Sequence, residues 1–206
     1  MDSNNARPKT RRAIAPQRRP GKARVAAVLA AAAAVIAEKG YDAATMAEIA
    51  VLAHAPIGSL YRFFPNKEIL ADALIQRYVV LVNEAFDAIA QQAPLHSTDF
   101  LADAILDLGT RWHDETKAMV SLLEARSDWS ARRRKFRELV LGRIAGILRQ
   151  RSSTLSENAA RDVAVILLHH LKIMKSLKSG RDVPNSPGAP DELRRLNRSY
   201  VAHRLR

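Results

Sequence analysis

The sequence predicts an all-α chain built as a compact three-helix head followed by a larger helical bundle. Three observations predict it. Past residue 24, apolar side chains recur at three- and four-residue spacing along nearly the whole chain. The runs are separated by helix caps and stops, not by hairpin turns. A length of 206 residues with 48% hydrophobic content is also enough to bury a sizeable core.

Residues 1–24 stand apart. They hold eight basic side chains (Arg7, Lys9, Arg11, Arg12, Arg18, Arg19, Lys22 and Arg24) against one acid, Asp2, with three prolines. So charged and apolar-poor a segment cannot bury enough surface to fold alone, and a disordered basic arm is expected over 1–23. Two roles fit it: a solubilising tail, or an arm that follows phosphates or enters a minor groove.

The first helix is expected over 24–39, where Val25, Val28, Leu29, Ala32, Val35 and Ile36 share a face and Gly40 offers a left-handed cap. Thr45 and Glu48 form a capping-box pair that opens a second helix over 46–53, with Ile49, Leu52 and Ala53 pointing one way. Pro56 is tolerated only in a first turn, so a third helix starts there; Pro65 stops it and Asn66 caps a fourth, over 67–90.

Further on, Pro94 breaks the chain and a helix is expected over 98–116, with Phe100, Leu101, Ala104, Ile105, Leu108 and Trp112 on one side. A shorter helix covers "AMVSLLEARS". The next, over 131–151, carries "RRRK" on a solvated face and packs Phe136, Leu139, Val140, Ile144, Ile147 and Leu148. The most apolar helix spans 156–179 and ends at Gly180; after "VPNSPGAP" a last one covers 191–205 with Leu193, Leu196 and Tyr200 along one side.

Two short helices joined by a tight turn and braced by two longer ones make a helix-turn-helix over 24–70. In that motif the second helix enters the major groove with its N-terminal residues nearest the bases, so small residues there admit close approach. Gly58 and Ser59 satisfy this. Tyr61 can reach a phosphate through its hydroxyl, Leu60 and Phe64 pack inward, and Lys67 offers a phosphate clamp beside free backbone N–H groups.

The stretch "AAAAVIAEKGYDAATMAEIAVLAHAPIGSLYRFFPNKEIL" resembles the N-terminal domain of the TetR family of bacterial transcriptional regulators. Its blocks "EKGY", "T-x-x-E-I-A", "G-S-L-Y" and "F-P-N-K-E" stand in the family's order and spacing. The resemblance implies an all-helical homodimer whose heads bind a DNA operator and are coupled to a ligand-binding and dimerisation domain, here residues 71–206. It implies DNA contacts at Thr45, Ile57, Gly58, Ser59, Tyr61, Arg62 and Lys67. Three positions depart from the pattern: His54 replaces the turn glycine, Ile57 stands where a lysine or polar residue is common, and Phe63 where histidine is common. His is enriched in left-handed conformations among non-glycine residues, so the turn is expected to survive. Ile57 has two readings: contact with a thymine methyl, or packing within its own chain.

Other chemistries find little support. With no cysteines there is neither a disulfide framework nor a thiolate metal site. The apolar run from Val25 to Ala37 is shorter than a membrane span and is flanked by charge, and no signal-peptide pattern precedes it, so a soluble cytoplasmic chain is expected. His113, Asp114 and Glu115 are consecutive and point in three directions on a helix, and no hydrolase, metalloprotease or nucleotide-binding motif occurs. No catalytic residue, metal or cofactor is expected. A ligand pocket is expected to draw on Phe86, Trp112, His113, Met119, Phe136, His169 and Met174; the alternative for each is an ordinary core or interface position, as it is for Trp129 and His170. Three functions are compatible with these features: a ligand-responsive, operator-specific repressor, a nonspecific DNA-coating protein, or a helical small-molecule binder or enzyme. Residues 25–70 hold three basic side chains against four acids, which speaks against coating by charge alone.

Overall fold

A computed structural model of the chain describes residues 19–111, 113–125, 130–179 and 186–206. Among these residues there are nine α-helices and no strand: α1 (Arg19–Lys39), α2 (Met46–Leu52), α3 (Ile57–Phe63), α4 (Lys67–Gln92), α5 (Thr98–Arg111), α6 (His113–Ala125), α7 (Ser130–Arg151), α8 (Glu157–Ser179) and α9 (Ala189–Arg204). The described residues divide into two compact units, one of 19–77 with 117–125, the other of 78–111, 113–116, 130–179 and 186–206. The division falls after Arg77, not after residue 70, and α4 contributes to both units.

In the first unit the predicted capping chemistry is in place. Gly40 takes a φ of 84° and its N–H donates to Ile36 O at 2.9 Å, closing α1 with a left-handed residue. Thr45 and Glu48 form the capping box of α2. His54 adopts a φ of 48°, the left-handed turn conformation expected of it. Asn66 Oδ1 accepts from Ile69 N at 2.8 Å and caps α4. Val28, Ala32, Ile36, Ile49, Leu60, Phe63, Phe64, Leu70 and Leu74 are buried, together with Met119 and Leu122 of α6. Arg77 Nη1 donates to Ala26 O at 3.0 Å.

Three expectations need correction. α1 starts at Arg19, so residues 19–23 are helical and not part of a disordered arm; Pro20 is accommodated because the first turn needs no N–H from it. Residues 1–18 lie outside the described residues. Pro20–Lys39 is also long and apolar enough by composition to cross a membrane, although Val28, Ala32 and Ile36 on it are core residues. Leu52 is 49% exposed: α2 buries Met46, Ile49 and Ala50, and Leu52 falls off that face. The helix expected over 98–116 is present as α5 up to Arg111 and α6 from His113, with residue 112 outside the described residues, and α6 continues to Ala125.

In the second unit α5 packs on α8 and α9, and α7 on α8. Phe86, Leu101, Ile105, Leu106, Ile144, Leu148, Val163, Leu167 and Val201 form its interior. A Cβ built on Gly109 of α5 would lie 3.0 Å from Leu171 O of α8, so glycine permits that close helix approach. Asn197 is fully buried: its Nδ2 donates to Ala102 O at 2.9 Å and its Oδ1 lies 2.9 Å from His170 Nδ1. Beside it, Arg194 and Arg198 pair with Asp103, and Arg194 also with Asp107 at 2.7 Å. The "RRRK" run of α7 is solvated as expected, with Arg132, Arg134 and Lys135 exposed.

Candidate nucleic-acid interface

The short helix α3 follows Pro56, whose carbonyl accepts from Ser59 N at 2.9 Å and Leu60 N at 3.2 Å. One side of α3 is anchored: Leu60, Phe63 and the capping residue Phe64 are no more than 5% exposed. The opposite side presents Ile57 at 43% exposure, Tyr61 at 48%, Gly58 and Arg62. Ile57 is therefore not fully packed into its own chain. Phe63, which replaces a common polar residue, instead supports its neighbour: the Arg62 guanidinium lies 4.9 Å from the centre of its ring.

Gly58 has open space where a Cβ would project, with nothing within 4 Å and no left-handed φ. Neither packing nor backbone conformation requires glycine there. Ser59 behaves otherwise than its residue type suggests: its Oγ is buried and has no hydrogen-bond partner, so in this rotamer it faces the protein and not the outer surface.

Thr45 sits at the exposed start of α2, where its Oγ1 accepts from Glu48 N at 3.2 Å and its N–H donates to Glu48 Oε2 at 3.1 Å. Lys39 donates to the same carboxylate, and its hydrogen bond, followed by those from Thr45, holds Glu48 below the usual carboxylate range. Lys67 is not arranged as a free phosphate clamp. Its ammonium donates to Tyr41 O at 2.9 Å, Asp42 O at 3.0 Å and Ala44 O at 3.1 Å, which occupies all three of its N–H groups. It ties the start of α4 to the loop after α1 and can act on a phosphate only through its charge.

Sequence reasoning missed Val51 and Leu52, 76% and 49% exposed at the end of α2. The signal was present, because the only positions of α2 that match a buried stripe are 46, 49 and 50. Of the pocket residues, Phe86 and Met174 are buried in the second unit and Met119 in the first. Met174 packs with Leu106, Leu193 and Leu177. Phe136 is half-buried, its ring 5.5 Å from that of Tyr78. His169 is exposed on α8 and lines no interior space, because it falls between the buried positions Leu167 and Leu171. Trp112, the side chain of His113 and Trp129 lie outside the described residues.

The sequence profile described as "Bacterial regulatory proteins, tetR family" matches residues 28–74, the stretch that folds into this head. No curated protein matches the chain. Among solved structures it is similar to a transcriptional regulator of the TerR/AcrR family from Aquifex aeolicus VF5 (TM-score 0.67, 16% identity, 87% of this chain and 98% of that one). It is similar also to a TetR-like transcriptional regulator from Rhodococcus sp. RHA1 (TM-score 0.61, 20% identity, 87% and 94% covered). A third is NalD of Pseudomonas aeruginosa, the secondary repressor of the MexAB-OprM multidrug efflux pump (TM-score 0.55, 15% identity, 91% and 98% covered). Residues 28–74 are thus a TetR-family head, and the chain that carries it has the all-helical fold of TetR-like transcriptional regulators.

Proposed function

We propose that the chain is a cytoplasmic homodimeric repressor that binds a near-palindromic operator and is released from it by a small, largely apolar molecule. The observation that carries the DNA-binding half is the outer side of α3, where Ile57, Gly58, Tyr61 and Arg62 are presented over a firmly anchored inner side. A face so lacking in charge does not suit nonspecific coating of DNA, and residues 25–70 hold three basic side chains against four acids. Dimerisation is supported by Ile166 and Ile173 on one face of α8 and Leu196 on α9, which are 41%, 46% and 58% exposed. Two heads spaced by about 34–36 Å, or a multiple of the helical turn, would then read successive major grooves.

The ligand reading draws on the fold and on the repressor role of NalD. Within the second unit Phe86 and Phe136 supply aromatic surface of the sort a largely apolar inducer needs. Helix α4 carries both Lys67 and Phe86 and so is the natural transmitter. An inducer that weakens operator binding tenfold to a hundredfold must favour the non-binding arrangement by about 1.4–2.8 kcal/mol, and DNA must weaken inducer binding by the same factor.

Selection of duplexes from a randomised pool by the full chain tests the reading directly. Enrichment of a near-palindrome bound as a dimer is expected. Failure to enrich any sequence over random duplex at fixed salt would leave the coating protein and the helical small-molecule binder or enzyme as the alternatives.

A further inference from the structure

We infer that the leading end of α3 reads its half-site by apolar contact, Ile57 meeting thymine 5-methyl groups while the bare Gly58 lets the two surfaces close on one another. The inference rests on the operator-binding reading above and specifies what that operator contains.

Three observations converge on it. Ile57, the first residue of α3, keeps 43% of its surface exposed, although an isoleucine free to pack would bury it. Gly58 is in a helix with open space at its Cβ position, so its own fold gains nothing from the missing side chain and loses helix stability by it. A requirement met by absence of a side chain, with no cause inside the chain, points to a surface outside it. The third is Ser59, whose hydroxyl is buried and unpartnered and so offers no donor or acceptor to a base edge. Across residues 57–59 the outward chemistry is therefore methyl groups and bare backbone. In the major groove the thymine methyl is the one apolar group a base pair displays, so T·A is the pair that matches. Hydrogen-bonded readout passes to Arg62, further along the helix and steadied over Phe63.

The test starts from the duplex selected by the full chain. Each thymine in one half-site is replaced in turn by deoxyuridine, which removes only the methyl, and affinity is measured for wild type, Ile57→Ala and Ile57→Val. At one or two thymines the wild type should lose about three- to fivefold, the range expected for one buried methyl. Ile57→Ala should bind the thymine and uracil duplexes equally, and Ile57→Val should fall between. Thermal melting of each variant checks folding, which substitution at this exposed position should leave intact. Insensitivity to uracil at every thymine overturns the inference, as does sensitivity that persists in Ile57→Ala or a selected operator without thymine. In each of those results the selected operator still stands; failure of the selection itself would remove the operator reading and the inference together.

Discussion

The ammonium of Lys67 donates to the carbonyl of Tyr41 at 2.9 Å and stands 4.6 Å from the centre of the same residue's ring. With Asp42 O and Ala44 O as its other acceptors, it is a three-way tie between the start of α4 and the loop that positions α2. Lys67→Met should cost the head about 2–3 kcal/mol, and Lys67→Arg should not restore it, because a planar fork cannot serve three acceptors converging on one point. Denaturant unfolding gives the answer. Unchanged stability with a shallower salt dependence of DNA binding would return Lys67 to the phosphates.

Two glycines should respond to alanine with opposite signs. Gly58→Ala meets open space and should raise stability by roughly 0.5–1 kcal/mol while weakening operator binding. Gly109→Ala places its Cβ 3.0 Å from Leu171 O and should destabilise the second unit by about 1–3 kcal/mol. Thermal melts and operator titrations of the two variants check both signs.

Thr45→Ala should cost about 1 kcal/mol through loss of the α2 cap. The companion carboxylate makes a pH prediction. Glu48 titrates below its ordinary value of 4.5 in the folded chain, because Lys39 and then Thr45 hydrogen-bond its ionised form. Its stabilising effect is present above that ordinary value and is lost as pH falls through the depressed one. Melting temperatures from pH 7 to 3 should show a smaller acid-side decline in Glu48→Gln than in wild type.

Asn197→Ala should destabilise the second unit by about 2 kcal/mol, since it removes a fully buried amide and leaves Ala102 O and His170 Nδ1 without that partner. Asp103→Asn should also destabilise at neutral pH. Partial burial alone would raise the Asp103 carboxyl, but hydrogen bonds from Arg198 and Arg194 outweigh this and hold it below 3.8. The deficit of the variant should therefore shrink as the wild-type carboxylate protonates, below the ordinary carboxylate value.

Ile173→Glu or Leu196→Glu places a charge on the exposed apolar surface of α8 or α9. Either should convert a dimer to a monomer in sedimentation at micromolar concentration and lower operator affinity, with the helical content of the protomer unchanged. A wild-type monomer with full operator affinity would contradict this.

Local rules made most of the head legible. The left-handed Gly40 and His54, the capping box and the Asn66 cap depend on neighbours within a few positions, and each took the expected form. What escaped was set by residues far away in sequence. Lys67 has the type and place of a phosphate ligand, yet carbonyls more than twenty positions earlier accept its hydrogen bonds. His169 shares a helix with core residues but lies on its outer face, and periodicity blurs where two histidines adjoin. Ser59 reads as a polar contact until its rotamer turns it inward.

The division into two units bears on how portable the head is. Ser121 Oγ accepts from Tyr41 N at 3.2 Å, and Met119 and Leu122 are buried within the same unit, so a segment of α6 some eighty residues downstream is part of the head's own interior. A graft of residues 19–77 onto a different body would carry the whole outer side of α3 and still leave Tyr41 N without Ser121 Oγ, beside the loop that Lys67 holds. If α3 reads the operator as proposed, its specificity should be exchanged more readily by rewriting single positions of α3 than by swapping the domain, and a functional chimera would have to bring α6 with it.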